Sequence, residues 1–117
     1  MFMDRPPDLD LGDGHLLWFV GWCPDRELNP QYRDIPDVDR AGAIVSHIAR
    51  DGSDCMSSIN FDLPELNKAF PNDNRWKVES WEPLTLSPSL LCRAPLENSQ
   101  GECGDHGFVR NGQWVKA

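Results

Sequence analysis

Gly107-Phe108-Val109-Arg110-Asn111-Gly112-Gln113-Trp114-Val115 is the stretch whose reading decides the fold. Asn-Gly between two apolar runs is the preferred turn of a two-residue β-hairpin, because both central residues must take positive φ and these two do so with least strain. Working outward from it, the chain reads as further strands. Leu90-Leu91-Cys92 returns to a core after a Ser87-Pro88-Ser89 corner, and Trp76 to Leu86 reads as one long strand broken at Pro83. Cys55 to Phe61 alternates in polarity and follows Asp51-Gly52, a second hairpin signal, with Ala43 to Ala49 as its partner. His15 to Trp22 is an apolar, aromatic run of strand length. A short helix is expected over 63–70, with Asp62 as N-cap and Pro64 in the first turn, ended by Pro71.

Composition agrees with that pattern. The 117 residues suffice for one domain, and 9 Gly with 10 Pro favour turns over long helices. Five Trp and five Phe supply core volume, each large aromatic burying on the order of 150–250 Å². The expected fold class is mainly β: a small zinc-stabilised sheet and hairpin domain with one short helix and long irregular loops. Residues 1–14 are expected to form an N-terminal arm. Residues 15–117 are expected to form a single β-rich domain, with a metal-binding half over 55–117. Residues 24–40, carrying Pro24, Pro30 and Pro36, read as a long acidic loop with at most one helical turn.

The formal net charge is −8, from 19 acidic and 11 basic residues. Phosphate backbones are bound by clusters of Lys and Arg; no run of them occurs, so direct nucleic-acid binding is not expected. The longest apolar run, Leu16 to Val20, falls far short of the roughly 20 residues that span a bilayer. The start of the chain lacks the basic-then-apolar order of a signal peptide, so the expected location is cytoplasmic (that of the host cell for a phage-encoded chain). In a reducing compartment, four cysteines point to thiols or metal ligands rather than disulfides.

The chemistry concentrates in Cys92, Cys103 and His106, with Cys55 upstream. Cys103-Gly104-Asp105-His106 is a C-x-x-H knuckle, in which the glycine lets the chain turn so that both ligands can face one ion. Cys55, Cys92, Cys103 and His106 are therefore the expected ligands of one structural zinc. His47 is the alternative fourth ligand, and Cys23, between Trp22 and Pro24, reads as a packed thiol.

Leu84-Thr85-Leu86-Ser87-Pro88-Ser89-Leu90-Leu91-Cys92, followed by Cys103-Gly104-Asp105-His106-Gly107-Phe108-Val109-Arg110-Asn111-Gly112, resembles the C-terminal signature of domain-of-unknown-function family 6527. That family comprises small bacterial and bacteriophage proteins. The whole chain, with Gly21-Trp22-Cys23-Pro24, looks closest to members from phages of actinobacteria. The resemblance implies a metal-binding domain, with relatives beside bacterial ubiquitin-like conjugation genes, but it carries over no settled activity. The resemblance is specific over 76–117. In the first half only Cys55 stands where family members often carry a cysteine knuckle.

Together these readings lead to an expected function: a non-catalytic, zinc-stabilised protein-interaction module, a phage accessory protein. Its protein partner would contact the 24–40 loop and the N-terminal arm, with Phe2 and Tyr32 as anchors. One alternative is a zinc-dependent hydrolase using Cys92, Cys103 and His106 plus a bound water, with Asp105 or Glu102 as base. The other is an acidic decoy or inhibitor of a host system.

Overall fold

The computed structural model describes residues 4–117. Nine strands, one short α-helix and one 3₁₀ turn make it mainly β among the described residues. Strands β1 (Leu9–Gly12), β2 (His15–Trp22), β3 (Val38–Ile48) and β4 (Asp54–Asn60) form an antiparallel sheet in that order. A hairpin of β5 (Lys77–Trp81) and β6 (Leu84–Ser87) follows the helix α1 (Pro64–Ala69). The last sheet is antiparallel and runs β7 (Leu90–Leu91), β8 (His106–Arg110), β9 (Gln113–Lys116).

Period-two alternation builds the core. Leu17, Ala43, Val45, Ile59 and Phe61 face inward from the large sheet and meet Leu84, Leu86, Leu90, Val109 and Trp114 of the two smaller ones. Two layers thus share one apolar interior. Trp18 points from the opposite face of β2 and is fully buried, its indole N–H donating to the Arg5 carbonyl at 2.9 Å.

The closing hairpin forms at Asn111-Gly112, both in positive φ (52° and 72°), as a type I′ turn requires. The segment read as an N-terminal arm supplies β1, which pairs with β2, so it belongs to the sheet from Leu9 onward. Phe2 lies outside the described residues. Tyr32 packs edge-on against Trp22 (5.3 Å between centroids) and near Phe70 (5.8 Å), so its ring is engaged within the chain.

Three local expectations differ from the structure. Trp76 to Leu86 is a hairpin rather than one broken strand: the chain reverses at Glu82-Pro83, joined by a cis peptide bond, and Trp81 pairs with Leu84. Asp51-Gly52 is not a two-residue turn. Only Gly52 takes positive φ, while the Asp51 carboxylate accepts the Ser53 amide at 2.9 Å and shapes a longer loop closed by Ala49 N–H to Ser53 O. The helix N-cap is Leu63, not Asp62, because the Asp62 amide is held by the Trp76 carbonyl at 2.8 Å; its carboxylate accepts from the Asn67 side chain instead.

Gly42, buried in β3, sits where a Cβ would lie 2.2 Å from the Ile59 carbonyl oxygen of β4. Backbone cannot yield there without breaking the ladder. Gly42→Ala is therefore expected to destabilise the fold by about 1–3 kcal/mol, as overpacking does, measured as a lowered midpoint in urea denaturation.

Candidate functional site

His47 and Cys55 stand directly opposite each other on β3 and β4, so their side chains share one face. Cys92 follows β7 and Cys103 precedes β8. The Cys92 amide donates to the Asp105 carbonyl (2.8 Å), the Gly104 amide to the Cys92 carbonyl (2.8 Å) and the Cys103 amide to the Ala94 carbonyl (2.9 Å). Gly104, at φ 74°, makes the sharp turn. The result is a buried cluster in which one donor atom from each of His47, Cys55, Cys92 and Cys103 lies within 4.8 Å of the others, with His47 Nε2 only 3.2 Å from Cys103 Sγ.

This cluster could hold a metal ion. Tetrahedral coordination at metal–sulfur distances of about 2.3 Å puts neighbouring ligand atoms roughly 3.5–3.8 Å apart, the scale of the cluster. The electrostatics are those of a site that wants a cation. Burial first, then the adjoining Cys103 and Cys92 sulfurs, push the Cys55 thiol up to about 12, and burial likewise raises Cys103. Burial lowers His47, keeping its imidazole in the neutral, ligating form. A cation reverses the penalty on the thiolates.

Of the four residues expected as ligands, the structure brings together Cys55, Cys92 and Cys103 and places His106 elsewhere. The reason is strand alternation: Cys92 and Leu90 face inward, whereas His106, opposite Leu91, projects from the outer face of the sheet. His47 occupies the fourth corner. Cys23 is exposed and donates to the Asp37 carboxylate at 3.2 Å, far along the chain from the cluster.

On that outer face His106 Nε2 lies 2.7 Å from Ser89 Oγ, a diagonal neighbour across the β7–β8 pair. Ser89 is half-buried and His106 exposed. The Asp105 carboxylate turns the other way, to His15 Nε2 at 2.7 Å, while His15 Nδ1 meets the Asp13 carbonyl at 2.8 Å. His15 stacks between Trp114 (4.0 Å between centroids) and His47 (4.9 Å), so this inner imidazole ties β2 to the Cys/His cluster and the last strand. The hydrolase arrangement of Cys92, Cys103 and His106 around one ion, with Asp105 as base, does not form.

By sequence alone Ser89 reads only as part of a corner. The available signal was spacing: Ser89 stands three residues before Cys92 and His106 three after Cys103, so the cysteine pairing that aligns the strands also aligns serine with histidine.

Fold and site thus define a small mainly β domain with a buried four-donor Cys/His cluster and a serine–histidine pair at its surface. A family model for BubE, the bacterial ubiquitination-like system serine protease, matches residues 35–117, and the chain belongs to that family. No curated protein and no solved structure matches it. The match overturns the resemblance to domain-of-unknown-function family 6527 and, with it, the expectation of a phage accessory protein. It also overturns the non-catalytic interaction module, since the family is described by a protease activity. No helix among the described residues is long and apolar enough to cross a membrane.

The loop bearing Cys103 is anchored by Asp51, whose carboxylate accepts from the Asn98 amide (3.1 Å) and Ser99 Oγ (2.9 Å) as well as from Ser53. Bonds from Ser53 first, with Ser99 and Asn98 adding, outweigh desolvation and hold its carboxyl down at about 2. A depressed carboxyl contributes stability that is present above its ordinary value and lost as pH falls through the folded value, so the anchor should persist until about pH 2. Asp51→Asn is expected to accelerate hydrogen exchange at the Asn98 amide severalfold, with the β8–β9 amides unaffected.

Proposed function

We propose that this chain is a serine peptidase acting in a bacterial ubiquitination-like system, with Ser89 as nucleophile and His106 as general base. The observation that carries this reading is the 2.7 Å contact between Ser89 Oγ and His106 Nε2, the geometry in which an imidazole can take the hydroxyl proton. The other two histidines are engaged elsewhere, His15 with Asp105 and His47 with Cys103. Family membership supplies the reaction class.

In the proposed reaction, Ser89 Oγ attacks the carbonyl carbon of the scissile amide as its proton moves to His106 Nε2. The C–N bond then breaks, and His106 returns that proton to the leaving amine. Water then attacks the acyl carbon as its proton moves to His106; the bond from that carbon to Ser89 Oγ breaks, His106 returns the proton to Oγ, and the carboxylic acid leaves. With Asp105 turned to His15, the pair works as a dyad, and the strand pairing does the orienting.

The cluster of His47, Cys55, Cys92 and Cys103 is proposed to hold zinc. Three sulfurs and an imidazole suit zinc's preference for soft donors and tetrahedral geometry. With four protein ligands the site is closed and structural. A bound ion would supply cross-linking alone: Cys92 and Cys103 would be locked together across the strand pair that carries Ser89 and His106, while His47 and Cys55 would anchor that pair to the large sheet. Because β7 has only two residues, its register depends on such a tie.

Two measurements test this. A small fluorophosphonate should modify Ser89, identified by peptide mass, with labelling lost in Ser89→Ala and slowed by about 10³-fold or more in His106→Ala; modification of a different residue, or of none, overturns the dyad. Elemental analysis should give one zinc per chain in the parent protein and in His106→Ala, and a reduced content in His47→Ala. An unchanged zinc content in His47→Ala overturns the ligand set.

A further inference from the structure

We infer that the groove between β4 and β7 is the substrate-binding cleft, receiving an extended peptide segment whose side chain next to the scissile bond is aliphatic. This rests on the serine peptidase reading above. A cavity of about 290 Å³ lies between the two strands, lined by Met56 and Ile59 of β4, Leu90 and Leu91 of β7, Trp76 and Arg93. It adjoins the segment that carries the nucleophile: Leu90 is the residue after Ser89, and the Trp76 indole N–H donates to the Ser89 carbonyl at 3.3 Å. Leu91, directly opposite His106, and Met56 are among the large apolar side chains left exposed, at 45% and 54%.

The backbone of both strands is set to receive another. The Phe61 amide bonds inward to Ala41 while the Asn60 carbonyl accepts outward from Trp76, so by alternation Met56 and Ser58 present their N–H and C=O on the outer edge of β4. Just past β7 the Cys92 amide and carbonyl bond to the β8 side, which by alternation turns the main chain of Leu91 toward the groove.

Free edges are commonly protected by charge, proline or a bulge. The opposite edge of the large sheet follows that rule: β1 has four residues, a register shift and Asp10. The middle of β4, Cys55-Met56-Ser57-Ser58-Ile59, carries none of these and pairs with β3 without a break. An edge left bare beside a nucleophile suits substrate capture by strand addition, where main-chain bonds hold the peptide and one pocket reads a side chain. Met56, Ile59, Leu90 and Leu91 offer apolar burial to an aliphatic side chain, whereas Arg93, exposed and solvated, offsets only part of the hydration a carboxylate would lose there.

The test compares two peptide phosphonates, acetyl-Ala-Ala-Leu and acetyl-Ala-Ala-Asp diphenyl esters, with a small fluorophosphonate that does not reach the groove. On the parent protein the Leu probe should label Ser89 at least tenfold faster than the Asp probe. In Met56→Asp and in Leu91→Asp, the ratio of Leu-probe rate to fluorophosphonate rate should fall at least tenfold. Fluorophosphonate labelling of Ser89 with no Leu preference, or with a ratio untouched by both substitutions, overturns the groove and leaves the dyad standing. Absence of fluorophosphonate labelling at Ser89 overturns the dyad, and the groove with it.

Discussion

The pairing of β7 with β8 is the constraint on which the rest of this protein depends. It is short, resting on Leu90 opposite Gly107 and Leu91 opposite His106, and it is continued by main-chain bonds at Cys92. Yet it places Ser89 against His106 on one face, and it leads Cys92 and Cys103 to the buried cluster. A slip of one residue would turn both sets to the wrong faces, because side chains alternate along a strand. Gly107, the partner of Leu90, is also hemmed in from β9: a Cβ there would stand 2.5 Å from the Trp114 ring.

A two-residue strand cannot hold such a register through its own ladder. The proposed zinc site answers that weakness by joining the last sheet to β3 and β4 through His47 and Cys55. The stack of Trp114, His15 and His47, with Asp105 bonded to His15, adds a second tie at the same corner. Structure and chemistry are thereby divided between the two faces of one strand pair. The inner face carries the candidate metal donors and the apolar core, and the outer face carries the serine and histidine. In a chain of this size, where a hydrophobic core alone supplies a modest margin, a cross-link near Ser89 and His106 would also limit their motion.

Much of the fold was legible because it rests on local signals. Asn111-Gly112 specifies its turn through the φ values those residues tolerate, and His15 to Trp22 forms a strand with the expected bounds. Turns governed by distant partners were not legible. Asp51 spends its side chain on Ser53, Asn98 and Ser99, and the Asp62 amide is taken by Trp76, contacts that no window of a few residues contains. The reversal at Glu82-Pro83 read as a break in one strand, since a proline between apolar runs fits either.

By itself, the sequence determined that this is a β-rich chain with thiols at Cys55, Cys92 and Cys103 available for one site, because residue type, spacing and strand period are written locally. Tertiary structure alone decided how the two histidines divide. His47 enters the cluster because β3 places it opposite Cys55, and His106 leaves it because it sits on the outward phase of β8. Which face a side chain takes depends on register between strands far apart in the chain. That register is set by packing across the whole core, so the meeting of Ser89 with His106 exists only once the sheets have assembled.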